Sequence, residues 1–357
     1  MNRSSSLTQA VPGLWQFGRY FWPTIRPQWP LLAVSGLALV ADVVLRVLEP
    51  WPMKVIFDYV LVPARSDAPS QLAPLSAWDP ALLLTGAVVA MVALTGLRAV
   101  ATYWNTVSLA IASSRIMTQI RNQLYRHLQR LSLGYHSQAR SGDLIVRVSG
   151  DASRLQEVLI TAALPLVSSL LTLVGMVGVM VWLDWRLALL STVTLPLFWL
   201  AATRFSQRIR SASLQQRKQE GAVAATAAES LAAIKLVQAL SLEEAFADTF
   251  AEQNQRSLSE AVATKRLAAH LERTVDVVIA LGTALVLWAG AQLVIRDALS
   301  PGDVLVFLSY LKNAFKPVQN FAKYTGRLAK AAASGERILN VMETQPEVRD
   351  RPDARPA

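Results

Sequence analysis

Apolar and charged positions follow one another in long blocks along this chain. From Ala81 the residues are lipid-like, yet by Arg115, Arg121, Arg126 and Arg130 the same run has become charged and periodic, with no glycine or proline between Leu97 and Leu133. Read as one helix from Ala81 to Leu133, it extends about 80 Å at ~1.5 Å per residue. A bilayer core takes up only about 30 Å of that, so the remainder is expected to project into water. Ala222 to Leu281 repeats the pattern in reverse, passing from charged to lipid-like without glycine or proline. Helices that overshoot the membrane this far act as levers, and a lever implies something that moves it.

Six lipid-compatible segments follow from hydropathy. They are Pro30 to Leu48 (interrupted by Asp42 and Arg46), Ala81 to Trp104 (with Arg98 inside), Val158 to Leu183, Leu187 to Thr203, Val277 to Ile295, and Val304 to Tyr324, the most polar. Each approaches the ~20 residues needed to cross. The opening Met1 to Ala10 is polar and the first long apolar run starts only after Pro30, so no cleavable signal peptide is expected. Trp15, Phe17, Tyr20, Phe21, Trp22 and Trp29, with Arg19 and Arg26, predict a short helix in the headgroup zone before the first span; a disordered aromatic tail is the alternative.

Composition agrees with a membrane protein: of 357 residues, 53% are hydrophobic and 17% charged, with mean hydropathy +0.33, against about 25% charge in soluble domains. There is no cysteine, which excludes disulfides and thiolate chemistry, and the three histidines are too scattered for a zinc site. The net charge of +10 is not read as nucleic-acid binding, because of where it lies. The connection between the second and third spans carries Arg115, Arg121, Arg126, Arg130, Arg140, Arg147 and Arg154. The one between the fourth and fifth carries Arg204, Arg208, Arg210, Arg217, Lys218, Lys235, Arg256, Lys265, Arg266 and Arg273. The connections between the third and fourth and between the fifth and sixth offer Arg186 and Arg296. Positive charge on the inner side then places both long connections and both termini in the cytoplasm. A bacterial inner membrane is the expected location.

Each long connection must be a helical hairpin. Turn signals in the first fall at Gly134, Tyr135 to Ser141, Gly142 and Gly150; in the second, Ser241 is the candidate, with Glu243 and Glu244 opening a new helix. Soluble helical insertions and a paired docking device both fit these hairpins.

Ionisable groups at membrane depth mark candidate substrate contacts. Asp42 and Arg46 lie one turn apart and can pair. Lys312, Lys316, Asn320 (or Gln319) and Lys323 recur every three to four residues on the sixth span, and Arg98 adds another positive group. Together they predict a cationic cavity suited to amphiphilic or anionic cargo, such as a phosphate-bearing lipid. Pro317 frees the carbonyl of Asn313 and is a candidate kink or gate, or a simple packing kink.

The segment Arg121 to Leu128, then Leu131, Tyr135, Gly142-Asp143-Leu144, Arg147 and Asp151, resembles the first cytoplasmic loop of ATP-binding-cassette (ABC) exporters. Ala228 to Val237 with Glu243, Glu244 and Phe250 is similar to the second, and Gly302 to Val306, Tyr310, Pro317 and Ser334 to Leu339 to the last span and its exit. The resemblance covers about residues 15 to 350. It implies an all-α membrane protein of the type I exporter fold, with six transmembrane helices and two long cytoplasmic helical hairpins. The expected organisation is an N-terminal stretch with an interfacial elbow helix (1–29), a six-span transmembrane domain (30–340) and a linker (341–357). The chain would act as half of a homodimer or heterodimer in the lipid membrane. Coupling helices at the hairpin tips would dock on nucleotide-binding domains, the second on the partner's. By position these are Tyr135, His136, Ser137, Gln138, Ala139, Arg140, Ser141, Gly142 and Asp143, and Ile234, Val237, Gln238, Ala239, Leu240, Ser241, Leu242 and Glu243.

One family element is absent. No G-x-x-x-x-G-K-[ST] phosphate loop occurs, the dipeptide Gly-Lys is missing altogether, and so is the Leu-Ser-Gly-Gly-Gln signature. This chain by itself is therefore not expected to hydrolyse ATP or to hold a catalytic, cofactor or metal site; ATP and Mg belong to a separate or following nucleotide-binding domain. The reading is the transmembrane half of an ATP-driven exporter of lipid, peptide or drug-like amphiphiles. The alternative is a receptor or regulatory or assembly partner on the same scaffold. A secondary permease fits poorly with two such hairpins.

Overall fold

The computed structural model describes residues 7–61, 79–138 and 141–346; within these, the side chains at 7–11, 138, 141, 192–203, 206, 210 and 316–323 are outside the description. Ala139, Arg140 and the 347–357 part of the expected linker lie outside the described residues, as do the side chains of Lys316, Pro317, Asn320 and Lys323. All regular structure among the described residues is helical. Four helical stretches there are long and apolar enough to cross a membrane: Trp22–Leu61, Pro80–Arg130, Gly142–Leu183 and Glu243–Ile295.

The chain divides into two compact units. The first comprises residues 1–183 and 293–357. It starts with α1 (Leu7–Tyr20), α2 (Trp22–Ile25) and a 3-10 turn (Arg26–Gln28), leading into α3 (Trp29–Leu48). Helix α3 does not end the first crossing. After Glu49 the chain resumes as α4 (Trp51–Val55) and continues π-helical over Ile56–Leu61. Pro52 stands in the first turn of α4, where its missing N–H has no helical partner to lose, so the proline pair restarts a helix instead of ending one.

Helix α5 (Pro80–Arg130) is the single long rod that the run from Ala81 predicts, continuous through Gly86 and Gly96, with Asp79 capping it through the amide of Ala81 at 3.0 Å. Its charged half is held by a buried stripe, Ile116, Met117, Ile120, Leu124 and Leu128, at the three-to-four spacing of one helix face. Phe17 and Phe21 close over that stripe with Leu155, Ile338 and Val341. The entrance helix thus buries one aromatic face in protein, while Trp15, Trp22 and Trp29 stay exposed.

The connection after α5 is described except at residues 139 and 140. α6 (Leu133–Gln138) contains Gly134, and from Ser141 the path is helical through α7 (Ser141–Ile145), a π segment (Val146–Asp151), α8 (Ala152–Val158), a second π segment (Leu159–Ala163) and α9 (Leu164–Leu183). Gly142 and Gly150 sit inside this rod, and no described glycine has positive φ, so neither acts as a breaker. The unit closes with α13 (Pro301–Glu343), which runs past Val341 into the stretch expected to be linker because Val341 is buried in the core. Its start is fixed by a capping box between Ser300 and Asp303.

The second unit, residues 184–292, is a hairpin. Asp184 caps α10 (Trp185–Ala232) through the amides of Arg186 and Leu187, both at 2.8 Å. Then come α11 (Ile234–Ala239), a turn, and α12 (Glu243–Ile295), which ends in the other unit. Thr226 Oγ1 donates to Gln253 Oε1 at 2.7 Å across the hairpin. Ser241 makes the turn in the left-handed region, at φ 52°, a conformation that costs a side-chain-bearing residue about 1–2 kcal/mol. Ser241→Gly is expected to stabilise the hairpin by up to about 1 kcal/mol and Ser241→Val to destabilise it by a similar amount. Amide exchange across residues 234–250 checks this.

Candidate functional site: a polar cavity between membrane helices

Helices α3 and α5 meet along a polar seam. Ser35 and Asp42 on one face of α3 and Glu49, its C-cap, stand seven residues apart, and Asn105, Thr102 and Arg98 face them in reverse order from α5. Ser35 Oγ donates to Asn105 Oδ1 at 2.9 Å. Thr102 Oγ1 reaches Asp42 Oδ1 at 3.1 Å, Arg98 Nε reaches the same oxygen at 3.3 Å, and Arg98 Nη1 reaches Glu49 Oε2 at 2.6 Å. Antiparallel helices bring such residues together only in register, and each pair satisfies groups that lipid cannot.

The predicted pairing of Asp42 with Arg46 is present, at 3.0 Å, but it is one arm of a larger network. Asp42, only 3% exposed, accepts from two guanidinium groups at once. Two carboxylates therefore balance two guanidiniums, and the expected cationic cavity is formally neutral at this end. The local sequence missed this because Glu49 sits at the helix end, where it reads as interfacial, and its partner is 49 positions away.

These groups open on a cavity of about 550 Å³, lined also by Thr106, Ile160, Leu164, Pro165, Ser168, Ser169, Thr172, Met176, Asn313 and Tyr324. Arg46 Nε and Thr172 Oγ1 are buried there with no hydrogen-bond partner. Lys312 is exposed and stands beside the lining residue Asn313. Gly175 lets the cavity walls approach: a Cβ there would lie 3.1 Å from Val47 Cγ2.

Two further ionic clusters were not anticipated. Lys54, 2% exposed, pairs with Asp58 at 3.5 Å and with Asp303. Their signals were Lys54 and Asp58 one turn apart and the Ser-x-x-Asp cap at Ser300. The second cluster uses residues that carried the family resemblance. Asp151, fully buried, accepts from Ser334 Oγ at 2.9 Å and Arg337 Nε at 2.8 Å. It precedes the uncharged run that starts at Val158. Burial alone would raise its carboxyl, but hydrogen bonds from Arg337 and Ser334 and the charges of Arg337 and Arg154 outweigh that and hold it below the usual range.

Of the expected coupling residues, Tyr135, His136 and Ser137 lie on α6, Gly142 and Asp143 on α7, Ile234, Val237, Gln238 and Ala239 on α11, and Leu240, Ser241, Leu242 and Glu243 on the turn and start of α12. Leu133, Leu231, Leu236 and Leu240 are exposed there.

Asp42→Asn should destabilise the protein by about 3 kcal/mol, because it strands Arg46 in a partly dry site and leaves Arg98 with Glu49 alone. The double variant Asp42→Asn with Arg98→Gln should lose less than the sum of the two single changes. Thermal unfolding in detergent reads both. For Asp151, a folded pKa below the unfolded value means its stabilisation is complete above about pH 4 and fades as pH falls through the folded value. The stability gap between the wild type and Asp151→Asn should therefore be widest near neutrality and shrink below about pH 4, as a pH series of melts would show.

Comparison with known proteins agrees with this architecture. The family model for the ABC transporter transmembrane region matches residues 32–318. The ABC transporter ATP-binding protein YknV of Bacillus subtilis is 29% identical over 242 residues, covering 67% of this chain and 40% of that protein. An ATP-dependent lipid A-core flippase of Syntrophus aciditrophicus is 24% identical over 252 residues, covering 71% and 42%. YknU of Bacillus subtilis is 26% identical over 336 residues, covering 94% of this chain and 54% of its own length. The chain thus spans about half the length of these relatives. With its apolar helices and matched family region, it is an integral membrane protein of the ABC transporter transmembrane-region family.

Proposed function

We propose that this chain is the transmembrane half of an ATP-driven ABC exporter and that the cavity walled by α3, α5, α9 and α13 is part of its translocation pathway. The observation that carries the reading is the cavity itself: about 550 Å³ and lined by the paired charges of Asp42, Arg46, Glu49 and Arg98, among helices that are otherwise apolar. A polar chamber in a bundle of apolar helices lowers the barrier for a headgroup that the bilayer excludes.

In this reading the chain pairs with a second transmembrane half, identical or different. α6 and α11 mark the tips that couple to nucleotide-binding domains, where ATP and Mg are held. The exposed leucines at 133, 236 and 240 give those tips an apolar docking face. The arginine and lysine distribution supports an orientation with the tips and both termini in the cytoplasm, in a bacterial inner membrane. Cargo is an amphiphile: a lipid, as the name of the flippase relative suggests, or a peptide or drug-like molecule. Asp42, Arg46, Arg98, Lys312, Lys316 and Asn320 contribute to the pathway, and Pro317 to its gating. Transport follows if cargo affinity differs between the inward and outward states.

The test is reconstitution in liposomes with a nucleotide-binding domain. ATP hydrolysis should rise with an amphiphilic cargo, and Arg46→Gln should weaken that stimulation about tenfold, the loss of one charge-assisted contact. Lys312→Gln with Lys316→Gln should reduce movement of anionic cargo more than neutral cargo. ATPase activity indifferent to a panel of lipids, peptides and drugs would remove the proposal.

A further inference from the structure

The two ends of the cavity are built differently. Three levels can be followed along α3–α4 in one direction and along α13 in the other. At the first, Asp42 and Arg46 face the cavity, which Asn313 and Tyr324 line from α13. At the second, the fully buried Tyr310 donates its hydroxyl to the carbonyl of Val47 and accepts from Trp51 Nε1 at 3.0 Å. Trp51 also stacks on Trp182 at the end of α9, ring centroids 6.2 Å apart. At the third, Lys54 and Asp58 meet Ser300, Gly302 and Asp303 at the start of α13.

The third level is tightly knit. Asp58 Oδ1 accepts from the amide of Gly302 at 2.7 Å, and its other oxygen lies 2.7 Å from Ser300 Oγ. Asp303 accepts from the amide of Ser300 at 3.1 Å. Amides at the start of a helix stabilise both carboxylates, and Lys54 is the cation between them. A Cβ on Gly302 would lie 2.6 and 2.7 Å from the two Asp58 oxygens and 2.7 Å from Lys54 Cγ. Glycine is thus what lets α4 and α13 close on each other.

We infer that Lys54, Asp58 and Asp303 form the outer gate of the pathway, an ionic lock that holds α4 against α13 while the cavity faces inward and must part for it to open outward. The inference rests on the proposed orientation and pathway, which put this level on the side away from the long connections. Two features suit it to that task. All three charges are buried, so water that enters as the helices separate can solvate each of them, which makes the open state accessible. With Lys54 removed, two carboxylates face each other at close range, which drives the same separation.

The cysteine-free chain makes the gate directly testable, since any introduced thiol is the only one present. Ser168→Cys places a reporter in the cavity wall, and a membrane-impermeant maleimide is applied to either face of sealed vesicles holding the full chain. With the lock intact, labelling is expected from the inner face and slow from the outer face. Lys54→Met should raise outer labelling about tenfold or more, the response of a two-state gate that has lost its main restraint. Gly302→Ala, which wedges α4 from α13 without removing a charge, should move it in the same direction. The opposite arm adds Asp58→Cys and Gly302→Cys, with labelling of the thiol at 168 alone read by peptide mapping: oxidised, the pair should hold outer labelling of that thiol at background, and reductant should release it. Outer labelling unchanged by Lys54→Met and Gly302→Ala, with inner labelling intact, would overturn the gate and leave the cavity reading standing. Outer labelling equally fast with the disulfide oxidised or reduced would do the same. A reporter unlabelled from both faces in every variant would overturn the cavity reading and the gate with it.

Discussion

A charged side chain between membrane helices has to find its counter-charge in the protein, because lipid supplies none. In this chain that constraint fixes how the first two long helices pair. The seam of Ser35, Asp42 and Glu49 against Asn105, Thr102 and Arg98 leaves α3 and α5 one register, since a shift by one turn would strand Asp42 and Arg98 together. Interhelical hydrogen bonds in membranes contribute only about 0.6 kcal/mol each on average. Losing one partner of a buried ion pair costs about 3–5 kcal/mol. The seam therefore acts less as an adhesive than as a key, with most of its energy spent against wrong arrangements.

The same logic explains how one unit holds three different environments. Around α1, α5, α8 and α13 the core is aliphatic and aromatic, closed by Phe17 and Phe21. There the helices have left the lipid-like part of the sequence, and packing is driven by burial from water. Within the apolar spans the outward faces are exposed valines and leucines and the inward faces carry the polar groups, as in Val88, Val89 and Val92 against Arg98 and Thr102. The cavity lies along those inward faces, while at Lys54 and Asp303 and at Asp151 and Arg337 ion pairs join the helices directly.

These three networks join residues remote in sequence, and each ties α13 or α3 to another helix. Asp151 and Arg337 fasten the rod of α7 to α9 to the exit of α13. Lys54 and Asp303 fasten α13 at its opposite end to α4. Helix α13 is thus pinned near both ends by ion pairs with the cavity between them. A motion imposed at one pin can be felt at the other because a continuous helix joins them.

Much of this was legible in the residues alone. Block alternation of apolar and charged sequence gave the membrane class and the long rods, because hydropathy and the absence of helix breakers are local properties. Ser241 was legible as a turn from Glu243 and Glu244 behind it, and Asp42 with Arg46 from their spacing. Resemblance of short segments in the right order gave the family. Other features needed tertiary structure. Gly142 and Gly150 read as breakers, but both lie within a continuous helical path from Ser141 to Leu183. The first span was read as ending at Leu48, but Pro50 and Pro52 start its continuation as α4. The cationic reading rested on Lys312, Lys316, Lys323 and Arg98, and of these the sequence shows Arg98 without its partners. Only the packing of α3 on α5 decided that Glu49 and Asp42 neutralise Arg98 and Arg46, since electrostatic balance depends on distances between helices that no local pattern encodes.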